Sequence, residues 1–591
     1  MAKTEQRINR ALKQMYGSQD WERVSKAIFK RMGQFQQAYG SGTASPRELF
    51  HQSDVFMITY PDILRDSEHK PLENLRAFYQ SELSSIVNTI HILPFFPYSS
   101  DDGFSVMDFY SVDPTLGSWE DISHLKDTGC RLMFDTVINH VSTGSDWFLG
   151  FLNGDERYLD YFITVDPDAD LSMVTRPRSL PLLTRFETAG GPKYVWTTFS
   201  ADQIDLNFSN PDTLLAILDV ILFYIRQGAD IIRLDAIPYL WKEIGTTCIH
   251  LPQAHAFVQL LRAVLDELKP DVLVIAEANV PHDENISYLG DGTDEAHMVY
   301  QFSLPPLTAH ALISGSSEYL SSWASNLNTP SPGTSFLNFT ASHDGVGVRP
   351  AAGILPEKEV ARLIKQTLAH GGKISSKTNQ DGSKSPYELN INYYDLLNDP
   401  ASTEPQELQV NRFLASQAIM LMVKGIPGLY FHSLVGSRND YEGVAKTGHA
   451  RSINREKLQL IPFLEELQDP GSLRNAVFSR YKSLLEVRTR ESSFHPSGGQ
   501  EVLDAGPAVF AVLRTSPDGS EQILAMQNVA SAEQEVHIRL PETVNQKQQS
   551  GWHDLLSFEQ YHLEAGVVSL KLSPYQTVWL KLSSPDNLSL H

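Results

Sequence analysis

Short, almost wholly apolar runs recur along the chain, separated by longer stretches in which apolar positions return every three or four residues. Eight runs carry the pattern: VFMITY (55–60), TIHILPF (89–95), RLMFDTV (131–137), DIIRLD (230–235), VLVIAE (272–277), MVYQF (298–302), FLNFTAS (336–342) and PGLYF (427–431). A strand that is apolar at nearly every position is buried on both faces, as in a parallel sheet covered by helices. Eight such strands alternating with helices predict an α/β fold, a (β/α)8 TIM barrel, over residues 51–490. Before it, residues 1–50 alternate charged and apolar positions at helical spacing and run into YGSGTASP, which predicts a helical N-terminal extension ending in a linker. Two intervals exceed simple barrel connections and lack clean helical periodicity for much of their length, 150–205 after the third run and 350–405 after the seventh. Insertions of this kind usually build substrate sites. From 491 to 591 the pattern changes to alternating segments such as AVFAVLRT, EQILAMQNV, QEVHIRL and TVWLKL, which predicts a small antiparallel β domain.

Composition narrows the classes. Hydrophobic residues make up 41% and charged residues 20% of 591, an ordinary globular balance. The net charge of −23 disfavours nucleic acid and anionic lipid as partners. No stretch has signal-peptide character or the roughly 18 apolar residues of a membrane span, so a soluble, cytoplasmic protein is expected. Cys130 and Cys248 are the only cysteines, which fits a reducing compartment; neither belongs to a CxxC or Cys/His cluster, so no structural metal is expected.

In such a barrel the working residues lie at the C-terminal ends of the strands. After the second run comes SSDDGF, with Asp101, Asp102 and Phe104; the third carries Asp135 and leads to Asn139 and His140. The fourth ends in Arg233 and Asp235, the fifth in Glu277, and the seventh in His343 and Asp344. A lone Asp at a strand end is more often a helix cap, but RLDA, IAE, SHD and DTVINH on successive expected strands outweigh that reading. Cleaving a glucoside with retention takes two carboxyl groups about 5 to 5.5 Å apart, and adjacent strands lie about 4.8 Å apart. Asp235 and Glu277 are therefore the expected pair. Arg233, two residues before Asp235, is expected to keep the nucleophile ionised, while a drier, carboxylate-rich pocket holds Glu277 protonated. SSDDGF alone would also suit a hard cation, but no companion ligand cluster accompanies it.

The same segments carry a resemblance. DTVINH (135–140), IIRLDA (231–236), VIAEAN (274–279) and FTASHD (339–344) resemble the four motif regions of the α-amylase family of glycoside hydrolases. The resemblance implies Asp235 as nucleophile, Glu277 as general acid/base and Asp344 as the group that holds the sugar's 2- and 3-hydroxyls. It also implies a glucose subsite of Asp101, Phe104, His140, Phe199, Arg233, His343 and Arg451, with Tyr239 and Glu388 added to the substrate-binding set.

Further segments resemble one branch, the sucrose phosphorylase group: HILPFFPYSSDDGFSVMDF, VTRPRSLPLLTRF, VWTTFSADQIDLNF, GTTCIH, FSLPPL and GSRNDYEGVAKTGHARSINR. That likeness implies phosphate as co-substrate, no cofactor, and Arg178 and Tyr387 as phosphate-contacting residues. In the second insertion Glu388 stands where sucrose phosphorylases have a glutamine, which puts fructose as the partner in doubt. Lys373, Lys377 and Lys384 make this loop locally basic, suited to a carboxylate acceptor. The N-terminal extension and the SPYELN loop most resemble the glucosylglycerate phosphorylases of the group. Glucosylglycerol and sucrose phosphorylases, sucrose 6'-phosphate phosphorylases and a plain α-glucoside hydrolase remain alternatives.

Overall fold

The computed structural model describes residues 2–18, 20–40, 48–379, 381–541, 544, 552–561, 563–564 and 566–582. Two helices come first, α1 (Ala2–Tyr16) and α2 (Trp21–Tyr39). Eight parallel strands then close into a barrel: β1 (Phe56–Thr59), β2 (Thr89–Ile92), β3 (Arg131–Thr136), β4 (Ile231–Leu234), β5 (Leu273–Ala276), β6 (Met298–Tyr300), β7 (Ser335–Asn338) and β8 (Ile426–Tyr430). Each overlaps its predicted run. β8 returns to β1, with Phe56 opposite Gly428, so no edge is left open. The interior strand positions are buried on both faces, which is why the runs read as continuous rather than alternating.

Helices α3 (Pro211–Arg226) and α4 (Pro252–Leu268) pack outside β4 and its neighbours. The start of α3 is fixed locally: Asn210 accepts a hydrogen bond from the Asp212 amide, and Pro211 takes the first helical position, where its missing N–H costs nothing. The N-terminal pair adds an outer layer, α1 against α4 and α2 against α3. Ile8, Leu12, Met15, Val24, Ile28 and Met32 join the barrel's own hydrophobic core. Arg31 grips Asp219 with two parallel hydrogen bonds of 2.8 and 2.9 Å, and Arg7 pairs with Asp266 at 2.6 Å.

The interval after β3 contains a hairpin, Leu183–Thr188 with Gly191–Trp196. The interval after β7 departs from expectation. It holds a regular helix, Glu357–Ala369, before its hairpin of Lys373–Thr378 and Lys384–Asn390. The two insertions meet at a bridge between Arg176 and Thr378. At the C-terminus, antiparallel sheets of six and three strands enclose a separate core around Val536, Trp552 and Leu570. Two fully buried arginines lie where these sheets join the barrel. Arg514 donates to the carbonyls of Met422 and His495 (both 2.9 Å), and Arg488 to those of Gly425 (3.1 Å) and Gln52 (2.8 Å). Burial pushes their pKa values down to about 9 and about 10, respectively. Among the described residues no helix is long and apolar enough to cross a membrane.

Because the side chain of Leu12 is fully buried in the core shared with the barrel, Leu12→Ala should cost about 3 kcal/mol. Differential scanning calorimetry should show the main transition lowered by roughly 2–3 °C, with no separate early melting of the N-terminal helices.

Candidate active site

Strand register brings the central charges together. Asp135 on β3 lies opposite Arg233 on β4, and Arg233 lies opposite Ile275 on β5. The buried Arg233 guanidinium pairs with Asp135 and donates to Asp235 Oδ1 at 2.7 Å. On its other side Asp135 meets His91 Nε2 at 2.7 Å; burial lowers the pKa of His91, so the histidine hydrogen-bonds Asp135 as a neutral ring and Arg233 supplies the countercharge. Asp235 follows the end of β4, and Ala236 after it turns left-handed (φ 49°). That turn aims the Ala236 amide at Glu277 Oε2, 2.9 Å away, and the Glu277 amide in turn donates to the Leu234 carbonyl at 3.1 Å. The two carboxyl groups thus line one cavity, held through consecutive backbone positions of adjacent strands.

Their environments differ. Burial, reinforced by the charges of Asp235 and Asp344, pushes Glu277 up to about 8 even though Arg233 opposes the shift. The effect of Arg233 on Asp235 corrects the expectation: burial outweighs its pull, and the Asp235 carboxyl also rises above the usual range. Asp235 still ionises first, because it takes a direct hydrogen bond from the guanidinium and Glu277 takes only one from a backbone amide.

The rim is a chain of alternating charges. Asp101 and Asp102 both adopt left-handed backbone conformations (φ 53° and 49°), a strained arrangement for non-glycine residues. Arg455 clamps them, donating to Asp102 Oδ2 at 2.8 Å and Asp101 Oδ1 at 3.3 Å while its Nε donates to the His343 carbonyl at 2.8 Å. The SSDDGF acids are therefore arginine ligands. Among the described residues no group of three His, Cys, Asp or Glu side chains is placed to hold a metal ion. Arg451 pairs with Asp344 at 2.5 Å, and burial, which would raise Asp344, is overcome by Arg451 with help from Arg455, leaving it well below the usual carboxylate range. Arg451 also holds Glu388 in a two-pronged pair of 2.5 and 3.1 Å, and Arg178 approaches the same carboxylate at 3.6 Å. The acid at the glutamine position is thus buried and neutralised by two arginines. Arg178 lies over the Tyr387 ring at 5.6 Å, which joins the two insertions across the cavity.

Aromatic walls complete the pocket. Phe104 and His343 stack in parallel at 4.7 Å, and burial lowers His343 to about 3, so its ring is neutral. His140 bonds the Phe104 carbonyl through Nε2 at 2.8 Å and packs against Phe199, which meets Tyr239 edge-on at 5.5 Å. Asp101, Phe104, His140, Arg178, Phe199, Tyr239, His343, Asp344, Tyr387, Glu388 and Arg451 all line one cleft with Asp235 and Glu277. Arg233 lies beneath it. Of the three insertion lysines, Lys384 lines an outer vestibule, Lys377 stands beside Arg349 and Glu284, and Lys373 points to solvent.

Sequence reasoning passed over four residues. Gln203 donates to the Phe104 carbonyl at 3.1 Å, and Asn279 lines the cleft; both sat unremarked inside quoted segments, as did Arg455. Lys242 had no signal at all. Its buried ammonium pairs with Asp205 at 2.6 Å and donates to Asn139 Oδ1 at 2.8 Å, tying the loop after Asp235 to the segment after β3.

With this geometry in view, comparison with known proteins is decisive. Residues 79–344 match the family described as alpha amylase, catalytic domain. A glucosylglycerate phosphorylase of Spirochaeta thermophila is 52% identical over 492 residues, 83% of each chain. The chain belongs to the α-amylase family. A glucosylglycerate phosphorylase of Escherichia coli is 42% identical over 91% of this chain and 94% of its own length. Among solved structures, the sucrose 6F-phosphate phosphorylase from Thermoanaerobacter thermosaccharolyticum superposes with a TM-score of 0.70 at 25% identity, covering 83% of this chain and 96% of that one. Within this family framework the Lys242 tether is testable. Lys242→Ala leaves Asp205 buried without its cation and should lower unfolding stability by about 3–5 kcal/mol, measured by denaturant titration.

Proposed function

We propose that the protein is a retaining glucosylglycerate phosphorylase, converting 2-O-α-glucosylglycerate and phosphate into α-glucose 1-phosphate and glycerate. The observation that carries this reading is that two unlike carboxyls, Asp235 and Glu277, share one cleft with Arg178 and Tyr387. Asp235 Oδ attacks the anomeric carbon as the bond to the glycerate oxygen breaks. Glu277 gives its proton to that departing oxygen. A phosphate oxygen then attacks the same carbon from the face that glycerate left, returns its proton to Glu277 and releases Asp235 as a carboxylate. Two inversions leave the α-configuration retained. Asp344, kept ionised by Arg451, is placed to accept from sugar hydroxyls, and the Phe104–His343 stack supplies an apolar wall.

For phosphate to outcompete water, donors must be in place before it arrives. Arg178 meets this need, being held between the Tyr387 ring and Glu388. Burial keeps the Tyr387 hydroxyl protonated, so it remains a donor. Held by Arg451 and Arg178, Glu388 can accept hydrogen bonds from the hydroxyls of glycerate. A glutamine there would need no such countercharge.

Incubation with glucosylglycerate should give glucose 1-phosphate in a phosphate-dependent manner; release of free glucose at the same rate without phosphate would reject phosphorolysis. The alkaline limb of kcat/KM should follow the ionisation of Glu277, falling as pH rises through about 8. With α-glucosyl fluoride, whose leaving group needs little protonation, that limb should flatten.

A further inference from the structure

Charge counting around the cleft leaves a deficit. On the acceptor side the two guanidiniums of Arg178 and Arg451 are matched by the two carboxylates of Glu388 and Asp344, and Asp235 adds a further negative charge when ionised. An anionic acceptor entering this site needs positive potential from elsewhere.

A second cluster supplies it. Arg349, in the short helical turn Arg349–Ala351 after β7, donates to Glu284 Oε2 at 3.2 Å. Glu284 also receives His250 Nε2 at 3.0 Å, and Lys377 of the second insertion faces both Arg349 and Glu284. Burial lowers the pKa of His250, which leaves its ring neutral, so two cations surround one carboxylate and the cluster carries a net positive charge. Arg349 of this cluster reaches the hydroxyl of Tyr239. That side chain is 6% exposed and lines the cleft, and its hydroxyl has no well-formed hydrogen bond. The Arg349 guanidinium approaches this hydroxyl off the line of a good bond, and the charge of Arg178 also acts on it. A buried, unpaired O–H backed by a cation is a donor prepared for an anion's oxygen.

We propose that Arg349 is a positioning residue that sets the preference of the acceptor half of the site for anions, acting through the Tyr239 hydroxyl and held in place by Glu284. The inference rests on the reading of the cleft as a glucosyl-transfer site with an anionic acceptor, and it assigns that preference to a residue outside the cleft wall. Glu284 sets the strength of the effect, because it cancels part of the Arg349 charge.

The test uses α-glucosyl fluoride as donor and compares kcat/KM for glycerate and phosphate with that for glycerol. Any retaining α-glucosyl transferase uses this donor, so the experiment is independent of whether the wild-type protein phosphorolyses glucosylglycerate. Arg349→Gln should lower the anion-to-glycerol ratio about tenfold, the loss of one charge-assisted contact, chiefly through KM for the anions. Arg349→Lys should recover most of it. Glu284→Gln, which leaves Arg349 uncancelled, should move the ratio the opposite way. A ratio unmoved by Arg349→Gln, or shifted in the same direction by both Arg349→Gln and Glu284→Gln, would overturn the proposal.

Discussion

Crowding carboxylates into the dry mouth of a barrel is the constraint around which this protein is built. Asp135, Asp235, Glu277, Asp344 and Glu388 are all at least nine-tenths buried or close to it, and each isolated charge there would be strongly disfavoured. Arginine is the means of relief. Arg233 bridges Asp135 and Asp235, Arg451 bridges Asp344 and Glu388, and Arg455 bridges Asp101 and Asp102. A planar guanidinium with five donors serves two carboxylates at once, which a lysine ammonium does less well. The acid left without a cationic partner is Glu277, and it is the one that burial drives furthest toward the protonated form.

This pattern also explains why the rim tolerates strain. Consecutive left-handed aspartates cost energy, and they persist because Arg455 holds both side chains while Asp202 collects the hydroxyls of Ser99, Ser100, Ser105 and Thr143 nearby. The loop that presents Asp101 and Phe104 is thereby fixed from two directions. Lys242 does the same for the loop after Asp235. The groups that line the cleft are thus held by a second layer of buried ion pairs, and preorganisation of this kind lets a site act electrostatically without reorganising.

The insertions play a different part. They contribute Arg178, Tyr387 and Glu388 to the cleft, and they are joined to each other by the Arg176–Thr378 bridge and the stacking of Arg178 on Tyr387. The architecture separates the two contributions, because the barrel's strand ends present Asp235 and Glu277 while the longer loops present Arg178, Tyr387 and Glu388.

The barrel was legible from the sequence because strands buried on both faces leave uninterrupted apolar runs, and register makes their terminal acids converge. That Asp235 and Glu277 would follow adjacent strands was also legible, from the order of the motifs along the apolar runs. Tertiary structure alone decided the balance of forces: burial outweighs Arg233 at Asp235, and two arginines 210 and 63 residues away from Glu388 pair with that buried acid. It alone revealed Lys242, Arg455 and Arg349, whose partners lie in distant segments and leave no local periodicity. It also placed Lys384 at the vestibule and turned Lys373 away. Local patterns report which face of an element is buried; they do not report which charges from remote loops meet there, because that depends on how the closed barrel brings its loops together.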